Sequence, residues 1–155
     1  MRIEHKHDFL RSANITEYTL EPLPSDASLR RYYRVLTKGV SLILMDCPPE
    51  HYSVKPFVNI ASLLKAHNLP APEILFLDSE RGFLLLEDFG DVRVKDHLEA
   101  NPEDIISSYK DAIDLLIEIQ KIKTKDLPHH STEVMLTGLE VFTDWYLQNN
   151  DNKST

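Results

Sequence analysis

A chain of 155 residues that is 42% apolar and 27% charged has the make-up of one ordinary globular domain or slightly more, which excludes a fibrous or intrinsically disordered polymer. The formal net charge of −8 argues against nucleic acid and against an anionic membrane surface, both of which reward clustered Lys and Arg. An acidic protein can still keep a locally positive pocket for a nucleotide.

The opening MRIEHKHDFLRSAN lacks the apolar core of an export signal. Its spacing predicts a short helix over about 4–14, with Ile3, Phe9 and Leu10 on the apolar side and Asn14 as the stop. Three strands are expected next: around Tyr18 to Leu20, Arg31 to Leu36 and Val40 to Met45, with Lys38-Gly39 as the tight turn between the last two. Connections this short force antiparallel pairing. Cys47, the single cysteine, ends the third run; it reads as a small buried hydrophobe of a cytoplasmic protein without disulfides. After Pro48-Pro49 a helix is expected over about 54–67, with Phe57, Ile60, Ala61 and Leu64 inward, and then strands Ile74 to Leu77 and Phe83 to Leu86 around a polar turn.

The character changes at Glu87-Asp88-Phe89-Gly90-Asp91, after which everything reads helical. Asn101 suits an N-cap and Pro102 a first helical residue, opening one long helix to about Lys123 with a stripe of Ile105, Tyr109, Ala112, Ile113, Leu116 and Ile119. A last helix is expected over about 137–149 with Leu139, Phe142, Trp145 and Tyr146, before a polar tail. The Phe142, Trp145 and Tyr146 rings fit core packing better than a sugar-stacking platform. No run approaches the length of a membrane span. None of the seven histidines, His5, His7, His129 and His130 among them, has partners at metal-ligand spacing, so no metal site is expected.

Three stretches in order carry a family likeness: LPSDASLRRYYR at 23–34, LMDCPPE at 44–50 and GFLLLEDFGD at 82–91, supported by FTDWYL at 142–147. Together they resemble the aminoglycoside phosphotransferase superfamily of kinase-like proteins, and within it the branch of cell-wall sugar kinases that phosphorylate N-acetylmuramate and N-acetylglucosamine. The resemblance implies an α+β fold: a kinase-like N-lobe at 1–87, a five-stranded antiparallel sheet plus one helix; a hinge at 88–92; and the incomplete start of a helical C-lobe at 93–155. It implies ATP with magnesium as cofactor and a small-molecule amino-sugar as acceptor, in cell-wall recycling.

Phosphoryl transfer needs backbone N–H groups and cations around the phosphates. The likeness makes Ser25, Asp26, Ala27 and Ser28, with Arg30 and Arg31, the phosphate-covering loop; taken by themselves these residues also fit a plain capped turn. The third strand lacks the lysine that most kinase-like proteins place there, and Met45 stands near its position, so Arg30 or Arg31 is the expected source of charge. Asp88-Phe89-Gly90 spells a metal-binding triplet of protein kinases, but no catalytic loop precedes it. The better reading is a hinge, in which the backbone of Glu87, Asp88 and Phe89 meets the adenine edge and Asp91 faces ribose or substrate; an acidic helix cap is the plainer alternative. The resembling family draws its catalytic aspartate and magnesium ligands from an H-G-D loop and a D-x-D-type segment, and neither occurs in these 155 residues. The expectation is therefore a catalytically incomplete chain, completed by further sequence or by a separate polypeptide carrying the C-lobe. A non-catalytic nucleotide- or partner-binding module and a degenerate remnant remain as alternatives.

Overall fold

The computed structural model describes residues 2–24, 28–124 and 127–147. They fall into two compact units, divided between Lys121 and Ile122. In the first, α1 (Arg2–Ser12) precedes β1 (Thr19–Pro22), β2 (Arg31–Thr37) and β3 (Val40–Asp46); α2 (Lys55–Ala66), β4 (Ile74–Asp78) and β5 (Phe83–Glu87) come after. The strands form one antiparallel sheet in the order β1-β2-β3-β5-β4. The expected α+β architecture is thus present, and the hinge segment expected at 88–92 lies inside the first unit.

Local chemistry sets the turns. Thr37 pairs with Val40 across Lys38 and Gly39, whose φ values of 46° and 78° make the mirror-image turn that matches strand twist. Asn14 and Asn68 stop α1 and α2 in the left-handed region, at φ 61° and 57°. Gly82 is required: its φ is 73°, and a Cβ there would stand 1.9 Å from the Cys47 carbonyl oxygen. That carbonyl is held close because the Cys47 N–H donates to the Gly82 C=O at 2.8 Å.

The central strands are covered on both faces, which is why β5 reads as the continuous run Phe83-Leu84-Leu85-Leu86, all buried. Alternation sends Val35, Leu44, Phe83 and Leu85 to a cluster with Phe9 and Leu10 of α1, and Met45, Leu84 and Leu86 to a cluster with Cys47 and Val54 beside α2. Cys47 is buried, as its surroundings in the sequence suggest. Ile60 lies on the rim at 39% exposure instead of facing inward, because the buried side of α2 runs through Phe57, Val58 and Ala61.

Helix α1 also departs from expectation. Ile3 is 62% exposed, and Lys6 is buried at 7%. The first turn is seated by charge: Arg2 lies 4.2 Å over the Phe83 ring, its Nη1 donates to the Arg81 C=O at 2.8 Å, and its Nε donates to Asp46 at 2.8 Å. Lys6 Nζ stands 3.1 Å from the other Asp46 oxygen and donates to the Tyr33 hydroxyl at 2.6 Å. Asp46, 2% exposed, therefore bonds α1 to the end of β3.

Beyond the sheet the helix expected from Pro102 to about Lys123 is present with a 3-10 first turn, and a separate short helix precedes it. Helix α3 (Val94–Ala100) ends at Asn101, a 3-10 turn spans Pro102–Asp104, and α4 runs Ile105–Gln120. Asn101 does not serve as the N-cap of α4. Its N–H and side-chain amide both donate to the His97 C=O, at 2.8 and 2.9 Å, so it closes α3 from behind. The apolar stripe of α4 is largely uncovered, with Tyr109 63%, Ile113 55% and Leu116 52% exposed.

In the second unit, α5 (Thr132–Val141) starts before the expected 137, capped by Ser131 Oγ accepting from the Val134 N–H at 3.4 Å. It passes into a π-helical turn, Phe142–Leu147, where the Phe142 and Tyr146 rings stack at 5.1 Å. The expected end at 149 and the Trp145 side chain lie outside the described residues. Among the described residues no helix is long and apolar enough to cross a membrane.

These contacts can be tested by their effect on stability. Asp46→Ala strands two cations and should lower the unfolding free energy by about 3–5 kcal/mol in urea titrations at neutral pH, whereas Lys6→Met, which leaves Arg2 on Asp46, should cost clearly less. Gly82→Ala should cost about 2 kcal/mol or more, through the carbonyl clash and the unfavourable φ.

Candidate functional site

The α2 side of the sheet continues past the core into an open cleft of about 660 Å³, a size that suits a small ligand. Its floor is Tyr32, Arg34, Ile43 and Leu86; Phe57 and Pro72 form one side, Leu23 and Pro24 the start of the 23–31 loop, and Glu87 to Asp91 with Arg93 and Asp96 the other. Four carboxylates face two guanidinium groups along these walls. The end beside 87–91 is thus acidic and suits hydroxyl or amine donors more than phosphates.

One arginine organises that end. Arg34 projects from β2, with its side chain 15% exposed. Its Nε donates to Asp88 Oδ2 at 2.7 Å and its Nη2 to Asp88 Oδ1 at 3.2 Å, while Nη1 serves both oxygens of Asp91, at 2.8 and 2.9 Å. Asp88 also accepts from Ser41 Oγ and, at 2.8 Å, from the Gly90 N–H. The Arg34 bonds foremost hold the Asp88 carboxyl down at about 2, against the opposing effect of burial, with Ser41 and the Gly90 N–H adding to the lowering. Arg34 in turn is held more firmly protonated than an ordinary arginine by Asp88 and then Asp91. Gly90, at φ 80°, lets the chain turn back so that Asp88 and Asp91 reach the same guanidinium.

The candidate residues are distributed unequally. Ser25, Asp26 and Ala27 lie outside the described residues. Ser28 Oγ accepts from the Arg30 N–H at 3.2 Å. Arg30 sits 5.5 Å over the Tyr52 ring and lines an apolar groove along α2 next to the cleft. Arg31 follows the alternation of β2 onto the face of Tyr33 and Val35, away from Arg34. Met45 is fully buried on the α2 side, where its apolar side chain packs with Leu84 and Leu86. Lys6, bound to Asp46 on the opposite face, does not substitute there for a strand lysine. Of the hinge residues, the Asp88 side chain is 5% exposed and saturated by Arg34, Ser41 and Gly90, Phe89 is 69% exposed, and the Glu87 N–H is taken by the Glu73 C=O at 3.0 Å. Asp91 is 82% exposed and lines the cleft. Sequence reasoning gave Arg34 no role, although period-2 alternation from Tyr32 places it on the floor of the cleft. Among the described residues no group of three or more His, Cys, Asp or Glu gathers to hold a metal ion.

The pairing has a pH signature. Because Asp88 titrates lower folded than unfolded, its contribution to stability is complete above its unfolded pKa near 4 and is lost as pH falls toward 2. Asp88→Asn should flatten that part of the acid-side stability curve, as measured by urea unfolding from pH 5 to pH 2, and should lower stability at pH 7.

A model of the phosphotransferase enzyme family (APH) matches residues 19–154. Three curated relatives are each named N-acetylmuramate/N-acetylglucosamine kinase: one of Pseudomonas aeruginosa, 40% identical over 129 residues, 83% of this chain and 38% of its own length; one of Pseudomonas putida, 37% identical over 130 residues, with the same shares; and one of Neisseria meningitidis, 30% identical over 135 residues, 84% of this chain and 40% of its own. The chain thus spans about two fifths of the length of these relatives. With the family match covering the sheet, the cleft and the helices after them, the chain belongs to the APH phosphotransferase enzyme family.

Proposed function

We propose that this chain is the nucleotide-binding front portion of an ATP-dependent phosphotransferase acting on an amino-sugar in cell-wall recycling. The observation that carries the reading is the cleft on the α2 side of the sheet, bounded by Leu23 and Pro24 at one end and the Glu87–Asp91 segment at the other. In this reading 1–87 is the front lobe, 88–92 the hinge and 93–155 the start of the helical lobe. The backbone of Glu87, Asp88 and Phe89 meets the adenine edge, Asp91 the ribose or substrate, and Ser25, Asp26, Ala27, Ser28 and Arg30 the phosphates. Arg31, on the other sheet face, contributes only through the loop it ends. Tyr32, Ile43, Leu86 and Phe57 give the base an apolar bed.

ATP arrives with magnesium, which neutralises the phosphates and the charge that develops in transfer. The amino-sugar is suggested by the names of the relatives. No H-G-D loop or D-x-D segment occurs in these 155 residues, so the chain supplies nucleotide contacts and no catalytic base. A second reading, a binding module without catalysis, is favoured by the uncovered α4 stripe of Tyr109, Ile113 and Leu116. Purified chain incubated with ATP, magnesium and N-acetylmuramate should bind ATP in calorimetry yet give no sugar phosphate. Turnover would contradict the missing base. Failure to bind ATP at millimolar concentration would contradict the nucleotide reading.

A further inference from the structure

We propose that Arg34 is the positioning residue of the nucleotide end of the cleft, locking the 88–91 segment onto β2 and presenting the Asp91 carboxylate to the two vicinal hydroxyls of the ribose. The inference rests on the nucleotide reading above and deepens it.

The two carboxylates bound by Arg34 are in opposite states. Asp88 is 5% exposed and accepts from Arg34, Ser41 and the Gly90 N–H, which leaves it nothing to offer a ligand. Asp91 is 82% exposed and, among the described residues, meets only Nη1, which is shared between its two oxygens. Each Asp91 oxygen so keeps acceptor capacity directed away from Arg34. An ionised carboxylate accepts and cannot donate, and two oxygens held side by side match the spacing of a pair of neighbouring hydroxyls. Phosphate oxygens carry no hydrogen to give and would be repelled. The acidic walls contributed by Glu87 and Asp96 reinforce that choice.

The fork is what makes this arrangement rigid. Nε and Nη2 hold Asp88 while Nη1 is left for Asp91, so one planar group fixes the strand, the turn at Gly90 and the exposed carboxylate together. A lysine keeps the charge but has no second arm in fixed geometry. Arg34 acts through Asp91 and need not touch the nucleotide itself.

The test uses the full 155-residue chain and its variants Arg34→Lys, Arg34→Met, Asp91→Asn and Arg34→Met with Asp91→Asn. Kd is measured for ATP and for 2′-deoxy-ATP, with folding checked by circular dichroism and amide exchange followed in 88–93. The wild type should prefer ATP by about tenfold, the value of one hydrogen bond to a charged acceptor. That preference should fall to near one in all four variants, and the double variant should be no worse than the single ones, because the two residues act as one unit. Amides of 88–93 should exchange faster in Arg34→Lys and Arg34→Met. Equal weakening of ATP and 2′-deoxy-ATP with the ratio preserved would reduce Arg34 to a structural contact and overturn the proposal. So would unchanged exchange in folded Arg34 variants. If the wild type binds neither nucleotide, the nucleotide reading fails and the ribose role with it; accelerated exchange would then show only that the latch itself exists.

Discussion

The cleft depends on a guanidinium group that β2 holds against the sheet, 15% exposed and bonded to both Asp88 and Asp91. Strand alternation leaves Arg34 on the same face as Tyr32, and the antiparallel register sets it across from Ile43, so the charge lies on the α2 side of the sheet. Asp88 comes directly after the last residue of β5 and can reach that charge without leaving the sheet. Gly90 then reverses the chain within hydrogen-bonding distance. Helix α3 starts from a point that this network has fixed.

The two sides of the sheet use charge differently. Toward α1, Asp46 collects Arg2 and Lys6 in a closed group whose partners are all within the protein; among the described residues no buried side-chain polar atom is left unpaired. Replacing such a group by apolar residues is often harmless, while removing one member is not, so it orients α1 without offering anything to solvent. Toward α2, one carboxylate is closed in the same way and the next is left open to the cleft. The acidic character of that end fits a site that takes hydroxyl groups there and keeps phosphates at the other, near Arg30.

Most of the sheet is legible in the sequence. The runs Arg31 to Leu36, Val40 to Met45 and Phe83 to Leu86, the Lys38-Gly39 turn and the stop at Asn14 each have a local cause that acts over a few residues. The departures come from non-local partners. Ile3 is expected inside because it is apolar, but the first turn of α1 is seated by Arg2 and Lys6 on Asp46, 40 or more residues away in the chain. Asn101 has the chemistry of an N-cap, yet its amide reaches the His97 C=O behind it. Arg34 carries no motif; its importance comes from the meeting of β2 with Asp88, a pairing 54 residues apart. Of the site, the segment 87–91 is legible as a unit. That Asp88 is spent on structure while Asp91 stays open is not, because both reach the same guanidinium, and what separates them is burial beside Ser41, 47 residues away in the chain.

The central claim, that the α2 side of the sheet takes a nucleotide along 23–34 and 86–93, is tested most directly by mapping amide hydrogen exchange of the whole chain with and without saturating ATP and magnesium. Binding in this cleft predicts slowed exchange confined to the 23–31 loop, β2 and the 87–93 segment, with α1 and the 122–147 region unchanged. Protection centred on the exposed stripe of α4, or none in the 87–93 segment despite measurable ATP binding, would contradict it.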